Sequence, residues 1–133
     1  MSTSAQKQVI LVRRDLKMKR AAVAALVAKA SAEFFIDNDE SSRGDKLTVS
    51  LTPQETEWLS SGSTRIVLGV PTEGALRTLT FKAEVAGIQC YPVFGKSSGD
   101  FVDSESFSEA LCVAIGPDES DKIDEITGGL KLF

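Results

Sequence analysis

The eight residues RRDLKMKR at positions 13–20 gather five basic side chains (Arg13, Arg14, Lys17, Lys19, Arg20) around a single acid, Asp15. An alanine-rich run, AAVAALVAKA, follows directly. Val23, Leu26, Val27, Ala30 and Phe34 recur at three- and four-residue spacing, which predicts a helix from about 19 to 35. The cations then stand at the helix start, where the macrodipole disfavours each by roughly 0.3–1 kcal/mol. Helix stability therefore does not explain them. Backbone N–H groups left free at a helix start, with cationic side chains beside them, make a site for phosphate or carboxylate. Asp15, Lys17, Lys19 and Arg20 are the ligand-binding candidates on this reading. On the competing reading the charges are a solvated flank of a buried helix, and Asp15 offsets part of the repulsion.

The residue inventory narrows what such a site could do. The chain has no histidine, which excludes Ser-His and Cys-His nucleophile systems and imidazole-ligated metals. Its two cysteines, Cys90 and Cys112, lie in separate apolar stretches without metal-ligand spacing, so a reduced, buried pair is expected and no metal or cofactor is predicted. Catalysis would rest on Lys, Arg, Asp, Glu, Ser, Thr or Tyr91. Two motif matches fail. RRDLKMKR looks like a kinase catalytic loop but lacks the distal Asn, and GKS at 95–97 lacks the earlier glycine of a phosphate-binding loop, whose place is taken by Cys90.

Charge is unevenly spread. Residues 1–30 carry seven Lys/Arg against Asp15 alone, a net +6, whereas the remaining 103 residues sum to −10. An acidic body with one basic corner points to a localised anionic partner and away from duplex DNA, which requires a broad basic face. The N-terminal MSTSAQKQ lacks the order of a signal peptide, and no apolar run is long enough to span a bilayer, so a cytoplasmic chain without membrane contact is expected.

The elements that must position the basic segment follow from patterning. With 133 residues the chain supports one domain, 1–133, with a real core. QVILVRR (8–14) reads as a strand buried on both faces, STRIVLGVP (63–71) as a second, and EALCVAIG (109–116) as a central one. IQCYPVF (88–94) reads as an edge or irregular strand because of Pro92, and KLTVSLT (46–52) as a short edge strand. Thr52, Pro53 and Glu55 spell a capping box for a helix that Trp58 and Leu59 would dock on the core. A further helix runs from Thr72 to about Ala86 with Gly87 behind it, and a last one is expected to open at Pro117 and Asp118. The stretch from 95 to 108 reads as a long loop. Strands alternating with helices define an α/β chain with helices on both faces of one sheet.

Taken together, VILVRRDLKM, the helix KRAAVAALVAKAS, VAGIQCYPVF and the terminal LCVAIGPDESDKIDEITGGLKLF resemble the type II peptidyl-tRNA hydrolases over nearly the whole chain. The resemblance implies a three-layer α/β/α sandwich on a four-stranded mixed sheet of order 2-1-4-3, with strand 4 antiparallel to the others. It also implies metal-free hydrolysis of the ester between peptide and tRNA, and commonly a homodimer, for which the alanine-rich helix could supply a surface. Asp15, Lys17, Met18, Gly116, Pro117, Asp124, Thr127, Gly128 and Lys131 match the family pattern, with Arg20 standing for lysine.

The catalytic positions do not match. The family's lysine falls on Ala22, its aspartate on Gly95 and its threonine on Leu111, while Leu26 and Lys29 replace a glutamine and a histidine. Alanine cannot donate to an oxyanion, glycine cannot orient water, and leucine does neither. Three readings follow. The chain binds an anionic small molecule or tRNA end without efficient hydrolysis; or it hydrolyses peptidyl-tRNA or another ester through substituted residues, Lys17 or Arg20 steadying the anion and Asp15, Asp100 or Asp103 acting on water; or it is a non-catalytic dimeric interaction protein.

Overall fold

The strand QKQVILVR must satisfy apolar side chains on both of its faces, and the sheet it enters does so. The computed structural model describes residues 5–37, 44–46, 48–96 and 109–133. β1 (Gln6–Arg13) pairs in parallel with β2 (Arg65–Val70) and antiparallel with β4 (Glu109–Glu119), and β4 pairs antiparallel with β3 (Cys90–Gly95). The sheet order is β2-β1-β4-β3, with β4 the strand that runs against the others. Along β1, Val9 and Leu11 enter one apolar cluster and Ile10 and Val12 the other. The period of two thus feeds a core on each side.

Helices close both cores. α1 (Arg20–Asp37) and α2 (Pro53–Ser60) bring Leu26, Ala30, Phe34 and Trp58 to the Ile10 side. α3 (Glu73–Val85) and α4 (Ser120–Thr127) bring Leu76, Ala83 and Ile123 to the Val9 side. The three-layer sandwich expected from the sequence is what this arrangement makes. α2 carries the expected capping box: Glu55 N donates to Thr52 Oγ1 at 3.1 Å and Thr52 N to Glu55 Oε1 at 2.9 Å. Thr72 caps α3 by accepting from Ala75 N at 3.1 Å, and Gly87 follows that helix at φ +81°, a conformation that favours glycine.

Three local expectations are corrected. Residues 48–52 form no strand of the sheet. The outer edge of β2 is taken instead by the last residues of the chain, through Gly69 N donating to Lys131 O and Phe133 N to Val67 O, each at 3.0 Å. Pro117 does not open the last helix. β4 continues to Glu119, because Asp118 and Glu119 still pair with Lys7 and Gln6 across a register shift, and α4 begins at Ser120. Gly116 makes that shift practicable: it sits at φ +89°, and a Cβ there would lie 2.8 Å from Asp118 N. Finally, Trp58 docks α2 alone, since Leu59 is 38% exposed.

Both cysteines are free, and they belong to opposite faces of the sheet, Cys112 to the Ile10 cluster and Cys90 against the Val9 cluster. Burial pushes each thiol up to about 12. Among the described residues no helix is long and apolar enough to cross a membrane.

Candidate anion site at the carboxyl end of the sheet

β1, β2 and β3 run the same way, so their carboxyl ends lie together with the start of β4. In open α/β sheets this is the end where ligands bind. The basic segment 13–20 leaves β1 here, and its five cations divide into two groups.

Arg13 and Arg14 are structural. Arg13 is buried and grips Asp15 with two hydrogen bonds, Nε to Oδ1 at 3.0 Å and Nη2 to Oδ2 at 2.7 Å. Its Nη1 donates to Ala110 O at 3.2 Å and lies 3.6 Å from Glu109 Oε1. The fork of the guanidinium thus ties the exit of β1 to the entry of β4. Glu73, at the first turn of α3, completes the junction by accepting from Ala110 N at 2.8 Å and from Arg77 at 3.3 Å. The Arg13 hydrogen bonds hold the Asp15 carboxyl below its ordinary range, and the Asp15 carboxylate in turn raises Arg13. The Ala110 N–H, then Arg77, does the same for Glu73. Arg14 turns the other way. It lies across Gly69, where any Cβ would overlap its guanidinium, hydrogen-bonds Leu132 O through Nη2, and stacks over Phe133 at 5.2 Å.

Lys17, Lys19 and Arg20 form the second group. All three are exposed, and among the described residues none makes an ion pair. The first turn of α1 contains no acid. Val23 N donates to Lys19 O at 3.0 Å, so the helical ladder begins at residue 23; a lysine at the capping position has no side-chain acceptor for the N–H groups before it. Asp15 lies in the same segment but is engaged by Arg13, which makes it a brace for this turn. Asp100 and Asp103 lie outside the described residues.

The three positions where the resemblance puts catalytic residues lie around this corner. Ala22 is half-buried on the first turn of α1, Gly95 is buried at the end of β3, and Leu111 is fully buried near the start of β4. A register shift between Val93 and Phe94 of β3 sets Ala110 and Cys112 opposite them, leaving Leu111 as the extra residue. Leu111 and Cys112 consequently both face the α1 side, while Ala110 and Val113 face the other. Leu111 shares its cluster with Leu26, also fully buried. Among the described residues, no group of three His, Cys, Asp or Glu is placed to hold a metal ion.

Beside this corner an open groove of about 900 Å³ runs along α1. Met18, Val23, Val27, Phe35, Val67 and Phe133 give it an apolar surface, and Arg20, Ser31 and Arg65 are its polar groups. The sequence reading missed Arg65 and Ser31. The available signals were a glutamine, Gln8, directly before the apolar run VILV of β1 and an arginine opening β2.

The architecture is an α/β/α sandwich on a 2-1-4-3 sheet with a cation-rich helix start at the carboxyl end of that sheet. Comparison with known proteins identifies the family. The family described as peptidyl-tRNA hydrolase PTH2 matches residues 6–133. A peptidyl-tRNA hydrolase of Methanothermobacter thermautotrophicus is 34% identical over 127 residues, covering 96% of this chain and 99% of the relative. Those of Methanopyrus kandleri (35%, covering 96% and 97%) and Aeropyrum pernix (34%, covering 100% of both) are similar. Among solved structures, a protein of unknown function from Agrobacterium tumefaciens shares the fold, with a TM-score of 0.57 at 15% identity over 97% of this chain and 98% of its own. The chain belongs to the peptidyl-tRNA hydrolase PTH2 family.

Proposed function

We propose that this protein is a family member that binds a phosphate- or carboxylate-bearing ligand, the end of a tRNA included, at the start of α1, and that it has lost efficient hydrolysis of the peptidyl-tRNA ester. The observation that carries this reading is the burial of Leu111 and Leu26 in one apolar cluster between α1 and the sheet. Where the family resemblance places a threonine and a glutamine, this chain has two leucines wholly shielded from water. With Ala22 and Gly95 at the lysine and aspartate positions, neither an ammonium nor a carboxylate is supplied at those points. Lys17, Lys19 and Arg20, which make no ion pair among the described residues, support retained anion binding. Asp15, gripped by Arg13 and held ionised well into acid, is a weak proton acceptor; this disfavours the alternative in which it activates water.

The reading includes a homodimer, for which the exposed Ala21, Ala25 and Ile36 of α1 offer a close-packing surface. Light scattering is expected to give twice the chain mass, and a monomer at high micromolar concentration would count against it. The test of the main reading is release of peptide from a model peptidyl-tRNA, wild type beside Lys17→Ala, with binding of the deacylated tRNA followed in parallel. Binding that weakens in Lys17→Ala, with little or no release by either protein, is the expected result. Release by the wild type at a rate typical of the family overturns it.

A further inference from the structure

The groove along α1 contains a guanidinium that the fold fixes in place and leaves partly unused. Gln8 is fully buried in β1 at the head of the apolar run VILV, which is costly unless its amide is satisfied. It is satisfied by Ser31 alone: Gln8 Nε2 donates to Ser31 O at 3.1 Å, and Ser31 Oγ donates to Gln8 Oε1 at 2.5 Å. With its proton directed at Gln8, the Ser31 hydroxyl presents a lone pair to Arg65, whose Nε donates to it at 2.6 Å. Arg65 Nη1 donates to Ser63 O at 3.2 Å, and the guanidinium lies over the Trp58 ring at 4.7 Å. Trp58 is itself fully buried and anchored by Nε1 donating to Thr64 O at 2.8 Å. Four elements therefore immobilise one arginine at the groove, and its Nη2 has no partner among the described residues. An arginine ordered in advance loses little entropy when it takes up an anion.

We infer that this groove binds an amphipathic small molecule, an aliphatic or aromatic chain ending in a single carboxylate, with the carboxylate on Arg65. The volume of about 900 Å³ lies within the ~300–1,000 Å³ of small-molecule sites. Its surface is mostly apolar, and among the described residues its charged lining residues are Arg20 and Arg65, with no Asp or Glu. Charge complementarity thus selects an anion, and the apolar walls select what the anion is attached to. Arg20 is shared with the helix-start site proposed above, but Arg65 and Ser31 are not.

Decanoate is the probe, with decanol and decyltrimethylammonium as its neutral and cationic counterparts, all below their micellar range. Trp58 is the single tryptophan of the chain and lies against Arg65, so its fluorescence reports on the head group, while amide shifts of Val23, Val27, Ala28 and Phe35 report on the chain. Saturable decanoate binding at both reporters is expected, at least tenfold tighter than either counterpart. Arg65→Gln should weaken decanoate at least tenfold and leave decanol nearly unchanged. Ala28→Phe, an exposed position on the groove wall that leaves every charge in place, should weaken both. Lys17→Ala, outside the groove, should leave decanoate binding unaltered, so this result stands or falls separately from the anion site at the helix start. Decanol binding as tight as decanoate, decanoate binding insensitive to both variants, or a dimer in which these amides are covered and do not shift would each overturn the inference.

Discussion

Replacing Leu111 by threonine puts back the residue type that the family resemblance places at this position, and its cost measures whether the site is filled or merely altered. Leu111 has no exposed surface and shares a cluster with Ile10, Val12, Leu26 and Phe34. Leu111→Val serves as the reference: it removes one methylene, about 0.8 kcal/mol by transfer, plus a small cavity term. Threonine has nearly the shape of valine but brings a hydroxyl, which adds about 1–3 kcal/mol when buried without a partner. The threonine variant should therefore lose about 3 kcal/mol and the valine variant about 1 kcal/mol. With an unfolding entropy of roughly 2.1 cal/mol/K per residue, 133 residues give about 0.28 kcal/mol per kelvin. The corresponding falls in Tm are about 10 °C and about 4 °C. Circular dichroism melts, with urea titrations to check that the slope m is unchanged, would measure both. If the two variants cost the same, the hydroxyl has found a partner or a water beneath α1, and the picture of a dry, leucine-filled site is wrong.

Three further outcomes are expected. Lys17→Ala and Arg20→Ala should each weaken phosphate binding, more visibly at low salt than at physiological salt, where the screening length is ~8 Å, while changing stability by under ~0.5 kcal/mol; calorimetric titration that finds no change in either would leave the cluster a solvated rim. Asp15 and Glu73 have folded-state pKa values lowered from 3.8 and 4.5, so their stabilisation is present above those values and is lost as pH falls through the lower folded ones; urea midpoints from pH 6 to pH 2.5 should fall, and Asp15→Asn or Glu73→Gln should flatten the acid limb. Cys90 and Cys112, raised from 9.0 to about 12 by burial, should resist a thiol reagent at pH 8 in the folded chain and react fully in urea, and rapid reaction of either without denaturant would contradict their packing.

The fold was legible wherever one local signal dictated one local structure. β1 and β4 announce themselves because a strand buried on both faces has to be apolar along its length, and α2 because Thr52, Pro53 and Glu55 can do little else in that order. The misses are pairings that local pattern does not encode. Pro117 reads as a helix opener, yet the antiparallel partners Lys7 and Gln6 keep the chain extended to Glu119. Val49 and its neighbours look like an edge strand, but the edge of β2 is occupied by residues from the far end of the chain. The candidate site was only half legible for a similar reason. The basic run is plain in the sequence, but nothing local says that Arg13 will be drawn inward by Glu109 and Asp15, or that Arg65 will be locked by a serine 34 positions away.

That division bears on why cations stand at a helix start at all. Arg13 is there because the junction of β1, β4 and α3 brings Asp15, Glu109, Glu73 and the Ala110 backbone around one point, and a planar cation with several donors is the group that can bind acids and a carbonyl together. Arg14 is there because Gly69 leaves room for it to cross β2 and hold the terminal segment at Leu132 and Phe133. Both have structural employment, and replacing either would loosen a joint. For Lys17, Lys19 and Arg20 the described residues offer no such partner, while the helix field opposes them. Unlike the two arginines, these three gain nothing visible from the fold, so an anion from outside the chain is the partner that would account for them, with Arg65 holding a second, separately fixed positive charge along the same helix.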